Sequence, residues 1–545
     1  MATDSGTDTK VDLTTRRSLL VAAGAGAVAA ACAAPAPAPP PKPTATPTTA
    51  PPPTVPPTPI GAARHLANRA TFGATAATVE QIRRKGAAAW LDQQLSPAGL
   101  PDAEARVAGY TTLRQTNAQN EAVRTADEEL LFAELDHATL QRAVYSERQL
   151  HEVMCDFWTN HLNIWRRAKW LTQLKTLDNE QVVRRHALGR FADLLMASAK
   201  SPAMLVYLDN FASEGQPGKQ VNENYGRELL ELHTLGIIGG TQVYTEADVV
   251  GVAKVLSGWS INWDENANRY SFRFSEWWHC REPVSVLGGA WSRPSRANYQ
   301  DRVANAQGDG ESLLNFLARH PSTARNIATK LVRRFVSDAP QPALVDRLAA
   351  TYLSKDTAIA PVLRQLFLSA EFNAAVGQKV RRPQDWLYAA LRTTRAQIDP
   401  SPKGVAATRL RSTAQAIGQP LFERVSPDGW PDRATYWVAA DGLLKRWEHG
   451  AKLARNLITD AASPEKVVVD VTALLPSPLP STVRDVLVAM AGSTFQFDLS
   501  PADADAIAAA ARLTPTGPAS TLTGDLVLLQ NAVGLLLAHP TFQRR

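Results

Sequence analysis

A chain of 545 residues with 45% hydrophobic content can bury one large core or two to three smaller ones. Its net charge of +6 is modest for that length, and no basic run interleaves with aromatics, so a nucleic-acid partner is excluded from the expectations. Three cysteines are too few for a disulfide framework.

The N-terminus reads as an address. Thr15-Arg16-Arg17-Ser18-Leu19-Leu20 resembles a twin-arginine export signal. The apolar run 19–31 falls short of the roughly 20 residues that a spanning helix needs. It ends in Ala-Ala-Ala-Cys32, which resembles a lipobox, so residues 1–31 are expected to be removed and Cys32 lipidated as a membrane anchor. The alternative is a plain signal peptide cut near Ala33 or Ala34. Residues 32–60, almost entirely Ala, Pro and Thr, cannot pack a core and are expected to form a tether. The protein is therefore expected outside the cytoplasm, at a membrane. The twin-arginine route carries folded cargo, some of it with a cofactor inserted.

From Gly61 the composition turns globular. The expected fold is mainly α, one large multi-helix domain over 61–545 with a small β-hairpin insertion near 259–289. Helices are expected at Ala62–Ala70 and Ala77–Leu95, then over 120–145. Ser146 and Gln149 suggest a capping box for a helix from Glu147 to Trp165. Its apolar side carries His151, Cys155 and His161, and its polar side Glu152, Asp156 and Asn160. A helix over 179–200 contains His186, and Ser201-Pro202 opens the next.

The run Asn222 to Gly236 is the most chemically dense. Asn222 can cap a helix and Gly236 can close it in the left-handed conformation. At about 100° per residue, Glu223, Asn224, Arg227, Glu228 and Glu231 share one arc, and His233 lies on the other with Tyr225 and the leucines. The arc lines a polar cleft or is a solvated face on which Arg227 bridges Glu223 and Glu231. Thr245 and Asp248 suggest a second capping box. Ser260–Trp263 and Tyr270–Phe274 alternate with period two and predict a hairpin. After Gly308-Asp309-Gly310 the chain is expected to become helical again. Trp259, and Trp430 within the rigid loop Ser426-Pro427-Asp428-Gly429-Trp430, are candidate binding surfaces or core plugs. Cys155 and Cys280 are expected to stay unpaired.

No His-Glu-x-x-His, Gly-x-Ser-x-Gly, phosphate loop, dinucleotide fingerprint or Cys-x-x-Cys occurs. What remains is imidazoles on separate helices. His161 and His233 are candidate acid/base groups or ligands, with Glu228 or Glu231 as carboxylate partner and Arg227 for an anionic group. His151 and His186 are candidate metal ligands, and Asn160, Asn222 and Asn224 candidate binding groups. Such histidines could hold a metal ion or haem, or move protons beside a carboxylate. The opposing reading is a non-catalytic surface module holding a polymer or an exported enzyme.

Phe157-Trp158-Thr159-Asn160-His161, His186-Ala187-Leu188-Gly189, Tyr207-Leu208-Asp209-Asn210, Asn222-Glu223-Asn224-Tyr225 through His233-Thr234-Leu235-Gly236, and Tyr244-Thr245-Glu246-Ala247-Asp248-Val249 together resemble the exported bacterial domain-of-unknown-function family 1800 (DUF1800). The likeness spans roughly 61–545. It implies one largely helical exported domain, often encoded beside a second exported family that looks like a sulfatase or phosphatase. It supplies no reaction. His279-Cys280 departs from the His-Asp that the family pattern implies.

Overall fold

The computed structural model describes residues 61–545 apart from Lys169, Gly239, Ala267 and Ala461. The export signal, Cys32 and the tether lie outside the described residues, which all belong to one compact unit. The fold is mainly α, with small antiparallel strand pairs. None of the described helices is long and apolar enough to cross a membrane.

Local chemistry accounts for much of the helical frame. Ala62–Ala70 forms as expected. Ala77–Leu95 is instead two helices, Ala76–Lys85 and Ala87–Leu95, because Gly86 at φ 81° breaks the chain between them. Thr245 and Asp248 do make a capping box, and it opens the helix Glu246–Leu256. Ser146 and Gln149 do not. The helix there is Gln149–His161, and the Gln149 side chain turns away to accept from Phe72 N (3.1 Å) and donate to Ser146 O (2.8 Å).

The expected β insertion is two hairpins. Trp259–Ile261 pairs with Phe272–Phe274 in the register Trp259 to Phe274, and Val284–Val286 pairs with Trp291–Arg293. Two further pairs of two-residue strands lie at Ile237–Ile238 with Thr241–Gln242 and at Gln397–Ile398 with Val467–Val468. Gly308 and Gly310 do not delay the following helix, which runs Tyr299–Ala318 straight through them. The reason for Gly310 is tertiary. A Cβ on it would lie 2.5 Å from the buried Trp259 ring, whereas one on Gly308 would meet nothing within 4 Å. Gly310→Ala is therefore expected to destabilise by about 1–2 kcal/mol, overpacking outweighing the ~1 kcal/mol that alanine gains in helix propensity. Gly308→Ala is expected to stabilise by up to ~1 kcal/mol. Chemical-denaturation midpoints of the two variants should move in opposite directions.

Among the described residues two segments, Asp178–Arg184 and Leu229–His233, are π-helical. In the second, Thr234 N donates to Leu229 O (2.9 Å) and Gly236 N to Leu230 O (3.0 Å), with Gly236 left-handed at φ 73° as expected. The dense run is thus a short α-helix, Asn224–Glu228, widened into a π turn before it stops.

The helix Gln149–His161 runs through the middle of this frame, and its expected polar side does not face water. Glu152 is 6% exposed and held by both terminal nitrogens of Arg184 (2.7 and 2.9 Å). Asp156 meets Arg334 at 3.3 Å and forms a shorter ion pair with Arg382. Arg334 and Arg382 both also bind Asp385, which is 1% exposed. The interior here is an ion-pair seam, with Arg69, Arg381, Arg446 and Arg545 buried around it.

Candidate functional site

A helix that stops leaves its last carbonyls without partners. At the end of the π turn, two side chains from other helices fill that role. Lys330, on the helix Pro321–Phe335, donates from Nζ to Leu232 O (2.9 Å). His161, the last residue of its own helix, donates from Nε2 to His233 O (3.1 Å). With Nε2 carrying the hydrogen, Nδ1 is the acceptor, and it takes a second hydrogen bond from Lys330 Nζ at 2.9 Å. The carbonyl end of a helix favours positive charge, which suits Lys330. Asn326, one turn earlier on the lysine's helix, donates to Thr234 O (2.7 Å).

Burial sets the proton affinities. The Lys330 amine is drawn down to about 7 by burial, with Arg333 adding to the effect and Asp428 opposing it. His161 falls well below the ordinary imidazole value, through burial and then the neighbouring Lys330 and His233. His233 is lowered to about 3 by burial and Lys330. Both imidazoles are neutral at pH 7. Glu228 moves the opposite way, up to about 7, through burial and the adjacent Glu231, with Asp428 contributing. Lys330 and Glu228 thus sit near neutrality from opposite directions, and both feel Asp428. Lys330 and Glu228 are each half-buried, and Asp428 is exposed.

The Pro/Gly loop closes the same corner. Asn160 donates from Nδ2 to Trp430 O (2.9 Å) and accepts from Trp430 N (2.7 Å). Asn163 Nδ2 reaches Arg424 O and Ser426 O, and Tyr207 Oη donates to Val425 O (2.6 Å). Gly429, at φ 73°, lies so close that a Cβ would collide with the Asn160 carbonyl. The loop is pinned rather than loose, and its Asp428 is held at the rim.

The expected convergence of four histidines is half met. His161 and His233 come together, ring centroids 6.2 Å apart. His151 and His186 lie apart from them. His151 donates from Nε2 to Arg184 O (2.9 Å) and sits beside Glu152 and Cys155. His186 rims a separate cleft of about 490 Å³ that also carries Arg114, Arg185, Lys200 and Arg269. With both ring nitrogens engaged, His161 has no free lone pair to offer a metal ion or haem. His233 has both ring nitrogens buried and unpartnered among the described residues, as is the Tyr225 hydroxyl nearby.

The remaining candidates divide. Glu231 accepts from Tyr244 Oη at 3.5 Å. Arg227 reaches Glu223 at 3.5 Å, but its closer partner is Glu246 (2.8 and 2.6 Å), not Glu231, and this is a surface pair. Asn222 is not the cap expected of it: Glu223 holds that position, and Asn222 Oδ1 accepts from Asn224 N (3.0 Å) one residue earlier, while the exposed Asn224 reaches Asp209. Trp259 is fully buried and packs on Phe272. Trp430 lies under Arg424 and against Trp437. Cys155 and Cys280 are free and buried. Lys330 carried no local signal. In Ala328-Thr329-Lys330-Leu331-Val332-Arg333-Arg334 it is one cation of three on an amphipathic helix, and only the tertiary arrangement sets it against His161.

Compared with curated proteins and with solved structures, the chain matches none. A family model does match it over residues 65–544, nearly the whole described body. The chain belongs to the family described as Protein of unknown function (DUF1800).

Proposed function

We propose that the chain is an exported enzyme that moves protons through Lys330 and Glu228 on a polar substrate outside the cytoplasm. The observation that carries this reading is the half-buried Lys330 amine, drawn down to about 7 and hydrogen-bonded to His161. At neutral pH it is a base, and His161, a neutral acceptor fixed by His233 O, orients it. Glu228, also near 7, is the matching acid. An acid and a base poised near the working pH together are what general acid–base chemistry requires. The twin-arginine signal, the lipid anchor at Cys32 and a sulfatase- or phosphatase-like exported partner belong to the same proposal.

The test needs no substrate. At pH 7 a lysine with a value of about 7 is about half neutral, against about one part in 3,000 for an ordinary lysine. Brief treatment with an amine-directed acylating reagent, read by peptide mass spectrometry, is expected to modify Lys330 ahead of the exposed lysines. Modification of the exposed lysines with Lys330 untouched would overturn the reading. A second reading, a module that binds an anionic polymer, is favoured by the four cations around the His186 cleft. Retention on an anionic polysaccharide resin that disappears in an Arg185→Ala/Lys200→Ala variant would support it.

A further inference from the structure

His151-Glu152-Val153-Met154-Cys155 lies within one helix, Gln149–His161. Residues four apart on a helix share a face, which is why a His-Glu-x-x-His segment places two ligands on one metal ion. Here the second ligand position is a cysteine. The structure brings the donors together. His151 Nδ1 lies 3.8 Å from Cys155 Sγ and 3.6 Å from Glu152 Oε1, and one donor atom from each of the three residues falls within 4.8 Å of the others.

Neighbouring groups orient the set. His151 Nε2 is taken up with Arg184 O at 2.9 Å, which sets Nδ1 on the side of the thiol and the carboxylate. Arg184 holds Glu152 through both terminal nitrogens, fixing that carboxylate's plane. Glu152 and Cys155 are each 6% exposed, while the His151 side chain is 19% exposed and provides a way in. Thiolate, imidazole and carboxylate in one buried pocket form a donor set for a borderline-soft divalent cation such as Zn²⁺. A tetrahedral ion at ordinary bond lengths would draw the thiol and the carboxylate each toward His151 Nδ1 by only a few tenths of an ångström.

We infer that His151, Glu152 and Cys155 form a binding site for a borderline divalent metal ion, with three protein ligands and a fourth position left for an exogenous one. Cys155 binds as thiolate and His151 as neutral imidazole, and the protons they release pass to solvent when the metal enters. The site is separate from Lys330 and Glu228 and stands or falls independently of the acid–base reading.

The experiment is a Co²⁺ titration of the full chain carrying Cys32→Ala and Cys280→Ser, which leaves Cys155 as its one thiol. A thiolate-to-cobalt charge-transfer absorption that saturates at one equivalent is expected. It should vanish in the added Cys155→Ser variant, and in His151→Gln the affinity should fall at least about 10-fold. His151 lies nearer the surface, so its variant serves if the serine substitution prevents folding. No charge-transfer band in the parent chain, or a band that persists without Cys155, would overturn the inference.

Discussion

Asp385→Asn is expected to cost on the order of 3–5 kcal/mol of folding free energy, the largest stability effect of any single polar substitution considered for this chain. The Asp385 carboxylate accepts from both terminal nitrogens of Arg334 (2.8 and 2.9 Å), lies 3.3 Å from Arg382 and 3.5 Å from Arg545, and is 1% exposed. The neutral amide keeps the shape but leaves three buried guanidinium groups facing one another, with Asp156 and Asp432 as the remaining anions that act on them. Burial alone would raise the Asp385 proton affinity. Arg334, Arg382 and Arg545 outweigh it and hold the carboxyl well below the ordinary range. The stability it contributes is therefore present above the unfolded-state value near 3.8 and is lost as the pH falls through the lower folded value. Urea denaturation at pH 7 should show the full loss. A variant within about 1 kcal/mol of the parent would mean that the seam is balanced without its central anion.

Lys330→Met should produce the largest change in how stability depends on pH. Folding lowers the Lys330 value from 10.5 to about 7. Between these values the unfolded chain holds the proton and the folded one does not, so this residue makes the protein more stable as the pH rises from about 7 toward 10.5. Below about 7 the folded protein carries a buried ammonium, and its cost is constant. Methionine, of similar length and without charge, removes that slope, at the same time leaving Leu232 O and His161 Nδ1 without their donor. Glu228 acts in the opposite window. Its value is raised from 4.5 to about 7, so its contribution is full below 4.5 and lost as the pH rises to 7. Glu228→Gln should flatten that limb while leaving the alkaline one in place. Denaturation midpoints across pH 4–10 for the parent and both variants check the pattern, and an unchanged alkaline slope in Lys330→Met would contradict it.

How much of this was legible in the sequence depends on where each signal lives. Local chemistry carried through where the partners are neighbours in the chain. Examples are the Thr245–Asp248 box, Gly236 at the end of the dense run, and the alternating strands around Trp263. It failed where a distant residue decides. Gly310 looks like a helix breaker and is instead the space left for Trp259. Gln149 looks like half of a cap and is drawn to Phe72. The polar arc of Gln149–His161 does not name its partners, and arginines from positions 184, 334 and 382 supply them. At the candidate site, the pairing of His161 with His233 follows from two inward imidazoles, but the wider π turn that turns the Leu232 and His233 carbonyls toward Lys330 and His161 has no pattern in a 100° wheel. The partnership of His151 with Cys155 needed only the spacing of four. The absence of a second histidine hid it.

The central claim is that Lys330 is an amine poised near neutrality. The most direct measurement is a ¹³C NMR titration of the reductively methylated chain, with the Lys330 resonance assigned from its absence in Lys330→Met. A midpoint near pH 7, well separated from the surface lysines, is the predicted result. A Lys330 resonance that titrates with the others near pH 10 would contradict the account and leave the lysine as a cap on the carbonyl end of a helix.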